Sequence, residues 1–254
     1  MIFVIDIGNT NIVLGVYKGA KLLHLWRVST DIKKTSDEYL ITVKNLFRIN
    51  DIDPTEVKNT ILGSVVSPLD SVFQAVVRSL TNHEARLVDL SCFPDMPVKM
   101  DNPSEVGADR LLNASAGYEA YGGPLVIIDF GTATTFDVIS AKGEYLGGVI
   151  ATGLVLSLEA LTAKAFKLPK IDLVRPSSVI GKNTAHCMQS GIVFGYAGLV
   201  DSMVQKITEE LGAKPKVIAT GGLATLIQPV SNTIEDVVDD LTLKGLYRIS
   251  QTSH

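Results

Sequence analysis

With 254 residues, 46% of them hydrophobic and 20% charged, the chain can build one large domain or two medium ones around a sizeable core. A formal charge of −4 and a pI near 5.6 exclude a nucleic-acid binder that relies on a broad basic surface. Two cysteines without a CxxC (Cys92, Cys187) and four scattered histidines (His24, His83, His186, His254) offer neither a disulfide framework nor a zinc site.

The start, Met1-Ile2-Phe3-Val4-Ile5, carries no basic leader and reaches Asp6 too soon for a signal peptide. The uncharged, largely apolar stretch Tyr145 to Leu158 holds three glycines and is about 14 residues long, short of a membrane span. The expectation is a soluble, cytoplasmic protein with no membrane partner. Strand patterns open the chain at Ile2–Ile5, Ile12–Tyr17 and, after a Lys18-Gly19 turn, Lys21–Val28. Ser36-Asp37-Glu38 begins a helix whose apolar face is Leu40, Val43, Leu46 and Phe47. Ile61–Val66 reads as a short buried strand, Asp70–Leu80 as a helix and Arg86–Leu90 as a strand. The proline-rich segment Cys92–Pro103 reads as a surface loop leading to the active site. A helix follows over Ala108–Tyr121. Strands are expected again at Leu125–Ile128, Phe136–Ile139 and Glu144–Gly148. Helical periodicity returns at Leu156–Thr162 and over Thr184–Leu211, where Met188, Ile192, Tyr196, Leu199, Met203 and Ile207 recur at spacings of three or four. Lys216–Gly222 is a last strand running into a glycine pair, and Leu241–Tyr247 a closing helix.

One phrase occurs twice. Phe3-Val4-Ile5-Asp6-Ile7-Gly8-Asn9-Thr10 and Val126-Ile127-Ile128-Asp129-Phe130-Gly131-Thr132-Ala133-Thr134-Thr135 are each a β-branched run, an aspartate, one apolar residue, a glycine and short polar side chains. Each precedes a hairpin closed by Lys-Gly. A strand ending this way makes a tight turn whose N–H groups can wrap phosphate while its carboxylate organises a cation. Taken singly, the first turn also reads as an Asn/Gly hairpin and the second as a Thr-rich strand. Their repetition favours a duplicated domain that holds a nucleotide. Neither GxxxxGK[ST] nor a GxGxxG after a strand is present, which sets aside the P-loop and Rossmann solutions.

Between the copies lies Glu105-Val106-Gly107-Ala108-Asp109-Arg110 at a predicted helix start. A carboxylate there can take a proton from a substrate hydroxyl, and the guanidinium can grip an anionic group. The same pair also suits a helix dipole and a surface ion pair. Thr220-Gly221-Gly222 offers a flat backbone on which an adenine could lie.

Taken in order, Asp6-Ile7-Gly8-Asn9-Thr10, Asn102-Pro103-Ser104-Glu105-Val106-Gly107-Ala108-Asp109-Arg110, Asp129-Phe130-Gly131-Thr132-Ala133-Thr134-Thr135 and Thr220-Gly221-Gly222 resemble type III pantothenate kinases of the actin-like ATPase and sugar-kinase superfamily. The resemblance implies an α/β fold of duplicated actin-like (ribonuclease H-like) ATPase domains, mixed five-stranded sheets flanked by helices, with the nucleotide in the cleft between them. It places the halves at 1–118 and 119–254. It implies ATP-dependent phosphorylation of pantothenate to 4'-phosphopantothenate, the first step of coenzyme A biosynthesis, by a homodimer. Asp6, Ile7, Gly8, Asn9, Thr10, Asn11, Ile12 and Val13 would hold the ATP phosphates with help from Thr132 and with Mg²⁺ near Asp6. Asp129 would bind a monovalent cation, K⁺ or NH₄⁺. Asp109 would be the general base, Gly107, Ala108 and Arg110 would line the pantothenate pocket, and Thr184 would reach it from the other side. Many members carry a tyrosine before Asp-Asn-Pro where this chain has Met100, which keeps apolar contact, loses the hydroxyl and implies altered affinity. Two rivals are a sugar or acetate kinase of the same fold and an ATP-binding regulatory protein without catalysis.

Overall fold

A computed structural model of the chain describes residues 1–252; His254 lies outside the described residues. The described residues form two compact units, one of residues 1–96, 101–116 and 241–252, the other of residues 97–100 and 117–240.

The first unit is built on a five-stranded sheet in the order β3-β2-β1-β4-β5. Its strands are β1 (Ile2–Ile7), β2 (Asn11–Lys18), β3 (Lys21–Ser29), β4 (Asn59–Ser64) and β5 (Arg86–Leu87). β1 pairs antiparallel with β2 and parallel with β4, so its backbone is saturated on both sides and its side chains can be apolar on both faces. Helices α1 (Ser36–Ile49) and α2 (Asp70–Thr81) cover one face. Tyr39, Val43 and Phe47 of α1 and Phe73, Val76 and Val77 of α2 join Phe3, Ile5, Ile7, Ile12, Leu14 and Leu62 in one core. Full burial of a side chain of this size contributes roughly 1.5–3 kcal/mol. Thr35 caps α1 in a reciprocal box with Glu38, whose carboxylate returns to the Thr35 N–H at 2.8 Å.

On the opposite face lie the first part of α3 (Ala108–Tyr121) and α7 (Leu241–Gln251). Leu112 of α3 and Leu246 of α7 approach Gly63 of β4. The two helices are joined by buried polar groups: Thr242 Oγ1 donates to Asn113 Oδ1 at 2.8 Å, and the Arg248 guanidinium donates to Ser115 Oγ. The closing helix extends to Gln251 rather than stopping near Tyr247.

The second unit repeats the topology. Its sheet reads β8-β7-β6-β9-β10, from β6 (Leu125–Phe130), β7 (Ala133–Ile139), β8 (Tyr145–Thr152), β9 (Lys216–Thr220) and β10 (Asp236–Val237). β6 is antiparallel to β7 and parallel to β9, as β1 is to β2 and β4. α4 (Leu154–Lys164), the long α5 (Thr184–Leu211) and the single turn α6 (Ala224–Ile227) complete it. Val126, Ile128, Phe130 and Phe136 of the sheet meet Leu154, Leu158, Ile192, Val193, Val200 and Val204 of α4 and α5 in its core.

Two expectations need correction. The strand expected over Arg86–Leu90 is paired only at Arg86–Leu87. Val88 still donates to Leu62 at 2.8 Å, but Asp89 then accepts from Ser91 N–H at 2.8 Å and turns the chain into a 3-10 turn over Leu90–Cys92. The segment Cys92–Pro103 is not simply a surface loop. Cys92, Phe93 and Met96 are buried, and the backbone at Pro97 and Lys99 bonds Tyr145 of β8 at 2.9 and 2.8 Å.

Asp201 of α5 ties down the loop before β10. Its carboxylate accepts from Ser231 Oγ, Thr233 Oγ1 and both the backbone and side-chain nitrogens of Asn232, at 2.6 to 3.0 Å. Burial raises its affinity for a proton, but these donors together outweigh that and hold it below the usual carboxylate range. A depressed carboxyl stabilises the fold above its unfolded value of about 4, and that stabilisation is lost as pH falls through the folded value. The urea midpoint of wild type should therefore exceed that of Asp201→Asn at neutral pH, with the gap narrowing toward pH 3. A gap that widens on acidification would refute this.

Candidate active site

Both aspartates of the repeated phrase stand at the end of the central strand of a sheet. In the first unit Asp6 is half-buried and the following turn exposes Asn9, Thr10 and Asn11. Gly8 N–H donates to Asn11 O at 3.0 Å, Thr30 Oγ1 donates to Gly8 O at 2.6 Å, and Thr30 N–H donates to Thr10 O at 3.0 Å. The turn is thus pinned from β3's end while its polar side chains face outward. Ile7 and Ile12 are completely buried, so of the residues expected at the phosphates these two can offer only backbone.

The substrate string lies in the same unit. Asn102 caps a 3-10 turn over Pro103–Glu105, accepting from Ser104 Oγ at 2.7 Å and donating to Glu105 at 2.9 Å. Gly107 O then accepts from Arg110 N–H at 3.1 Å and Leu111 N–H at 3.3 Å, starting α3. Asp109 sits in the first turn, and its Oδ1 accepts from Arg110 N–H at 2.8 Å. Gly107 lies against Val65, and Val65 N–H donates to Ile7 O at 3.0 Å. Asp109 is therefore carried to the end of β1 where the first loop begins, by two steps through space across about 100 residues of chain.

In the second unit the turn after β6 is one residue tighter: Asp129 faces Thr135, whereas Asp6 faces Val13. Gly131 N–H donates to Ala133 O at 3.0 Å and Gly153 N–H donates to Thr132 O at 3.1 Å. Gly131 and Thr132 are exposed, while Thr134 is fully buried. Gly221, at the end of β9, packs on Asp129: a Cβ there would lie 2.5 Å from Asp129 Oδ1. The first glycine of the pair thus adjoins the second aspartate.

A family model described as type III pantothenate kinase matches residues 2–206. The type III pantothenate kinase of Geobacter sp. (strain M21) is 54% identical over 251 residues, covering 99% of both chains. This chain belongs to the type III pantothenate kinase family.

Two solved structures share the fold. One is a candidate Baf family transcriptional activator from Campylobacter jejuni, with TM-score 0.60, 18% identity and 97% and 96% of the two chains covered. The other is a candidate 2-dehydro-3-deoxygalactonokinase from Sinorhizobium meliloti, with TM-score 0.59, 12% identity and 100% and 98% covered. Such low identities speak to architecture alone, and the architecture is the expected actin-like one with two mixed five-stranded sheets flanked by helices. As a type III pantothenate kinase the chain is an ATP-dependent enzyme that phosphorylates pantothenate, and pantothenate kinase chemistry places it in coenzyme A biosynthesis.

Burial pushes the Asp109 carboxyl above the usual range, against the opposing pull of the Arg110 N–H and guanidinium. Among the described residues no three His, Cys, Asp or Glu side chains are grouped to hold a metal ion. Each loop instead offers one carboxylate with hydroxyl and backbone oxygens, a set that fits a hard cation shared with phosphate oxygens.

Met100 and Thr184 both belong to the second unit. The Met100 sulfur rests on Gly147 of β8, 3.1 Å from where a Cβ would stand. Thr184 is the exposed first residue of α5, after the cap Asn183, and borders an apolar depression of about 420 Å³ with Leu161, Leu168, Cys187, Met188 and Ile192. Sequence reasoning missed Tyr196. Helical spacing placed it on the apolar face of α5, but its hydroxyl reaches Thr152 O at 2.8 Å and Ser157 Oγ at 2.5 Å. It thereby fixes the turn at Gly153 that bonds Thr132. A tyrosine inside an apolar stripe carries no local sign of such a role. Among the described residues no helix is long and apolar enough to cross a membrane.

Proposed function

We propose that Asp109 is the general base for transfer of the ATP γ-phosphoryl group to the primary hydroxyl of pantothenate. The observation that carries this is the half-buried Asp109 carboxyl, raised by burial, at the start of α3 beside the end of β1. In the step, the hydroxyl oxygen forms the new P–O bond, the bond between the γ-phosphorus and its bridging oxygen breaks, and the hydroxyl proton passes to Asp109.

The remaining residues position and neutralise, as phosphoryl transfer requires. Asp6 through Val13 hold the triphosphate, the exposed Asn9, Thr10 and Asn11 by side chain and Ile7 and Ile12 by backbone, with Thr132 assisting. Mg²⁺ bound near Asp6 would neutralise phosphate charge. Asp129 suits K⁺ or NH₄⁺, because it stands among hydroxyl and backbone oxygens. Arg110 faces the pantothenate carboxylate, Gly107 and Ala108 line the pocket, Thr184 contacts the substrate, and Met100 supplies apolar contact in place of a hydroxyl. The common topology of the sheets supports reading 1–118 and 119–254 as the two repeated halves. Exposed Val155, Leu156 and Leu161 on α4, beside the depression at Thr184, support a homodimer formed through this face. Cytoplasmic placement accords with a biosynthetic substrate and an acidic net charge.

A coupled ADP-release assay with ATP and pantothenate, run with and without K⁺, tests the reading. Pantothenate-dependent ADP release that rises severalfold with K⁺ or NH₄⁺ is expected. ATP binding without any pantothenate-dependent release would favour the regulatory rival, and indifference to monovalent cations would remove Asp129 from its cation role.

A further inference from the structure

We infer that Gly107 is a positioning residue, whose missing side chain leaves the space in which the Asp109 carboxylate is held. This rests on the assignment of Asp109 as the base and adds the device that aims it.

A Cβ placed on Gly107 would lie 2.5 Å from Asp109 Oδ1 and 3.7 Å from its Cγ. Its other neighbour, Val65 Cγ1, is at 3.4 Å, an ordinary contact. The intrusion therefore falls on one group, the carboxylate. The backbone has little freedom to relieve it, because Gly107 O accepts the N–H groups of Arg110 and Leu111 that start α3. The free end of the aspartate must move instead. Moving it breaks the 2.8 Å bond from Arg110 N–H to Oδ1 that fixes its direction. The Gly107 backbone does not occupy the left-handed region, so alanine or serine can adopt it without strain. A β-carbon at position 107 should thus leave the fold in place and turn the carboxylate away from the reacting hydroxyl.

Two substitutions separate this from a capping role. Gly107 is the residue before α3, where serine caps well and alanine poorly. If Gly107 only began the helix, G107S would retain activity and G107A would lose it. If Gly107 positions Asp109, both variants lose kcat by about tenfold to a hundredfold, the effect of roughly an ångström of misplacement. Melting temperature and KM for ATP should stay near wild type, and KM for pantothenate should change less than kcat. Wild-type kcat in either variant, or a change confined to KM for pantothenate, would overturn the inference. D109N is measured in parallel. An active D109N would remove the base assignment and this inference together, whereas an inactive D109N with an active G107S would remove only the role of Gly107.

Discussion

Replacing Asp109 by asparagine should lower kcat by about 10²- to 10⁴-fold, the usual worth of a positioned general base. Asparagine keeps the shape and can still accept from the Arg110 N–H, so α3 should start as before. Melting temperature and ATP affinity should hold, because the first loop is pinned by Thr30 and Asn11 rather than by Asp109. Substantial remaining turnover would take Asp109 out of the base role. The wild-type pH profile supplies an independent check. The base acts ionised, and burial raises its carboxyl above the usual range. Activity should therefore fall on acidification at a pH higher than the value of about 4 at which an unperturbed aspartate titrates. An acid limb at or below that value would contradict the placement of Asp109 in a desolvated site.

The second large effect is expected at Gly221. Its φ of +90° lies where side chains are strained, and a Cβ would stand 2.5 Å from Asp129 Oδ1 and 2.7 Å from Phe130 O. The Phe130 backbone belongs to the central strand β6 and cannot retreat without breaking its pairing with β7 or β9. Gly221→Ala should therefore cost about 2–5 kcal/mol, combining backbone strain with overpacking. For a chain of this size that corresponds to a melting temperature lower by on the order of 10 °C. What folds should bind ATP more weakly, since Asp129 and the turn at Gly131 are displaced together. A variant that melts with wild type and shows an unchanged KM for ATP would mean that β9 does not need this close approach. The adjacent Gly222, which has open space where a methyl group would stand, provides the control: Gly222→Ala should leave melting temperature nearly unaltered.

Much of the architecture was legible because periodicity is local. The helices over Ala108–Tyr121 and Thr184–Leu211 have the ends their spacing and flanking residues predict. The repeated Asp-x-Gly phrase forecast two equivalent central strands, and β1 and β6 have the same neighbours in the same orientation. Less legible were the two-residue strands β5 and β10, whose pairing depends on a partner strand far away in sequence. Asp89 illustrates the difficulty: a side-chain hydrogen bond to Ser91 ends a run that alternation alone would continue.

The sequence by itself determined the ingredients: two phosphate-type turns, a carboxylate and guanidinium at a helix start, and a glycine pair after a late strand. Each is a short-range pattern of residue type and spacing, which is why it survives reading without coordinates. Only the tertiary structure decided which ingredients are neighbours. It sets Gly107 against Val65 and so brings Asp109 to the end of β1, lays Gly221 on Asp129, and fixes the Thr132 turn through Gly153 and Tyr196. It also carries the closing helix α7 back to the first unit, where Thr242 and Arg248 bond α3. These contacts follow from strand order and from the burial of apolar faces, which require the whole chain to be packed before any of them exists.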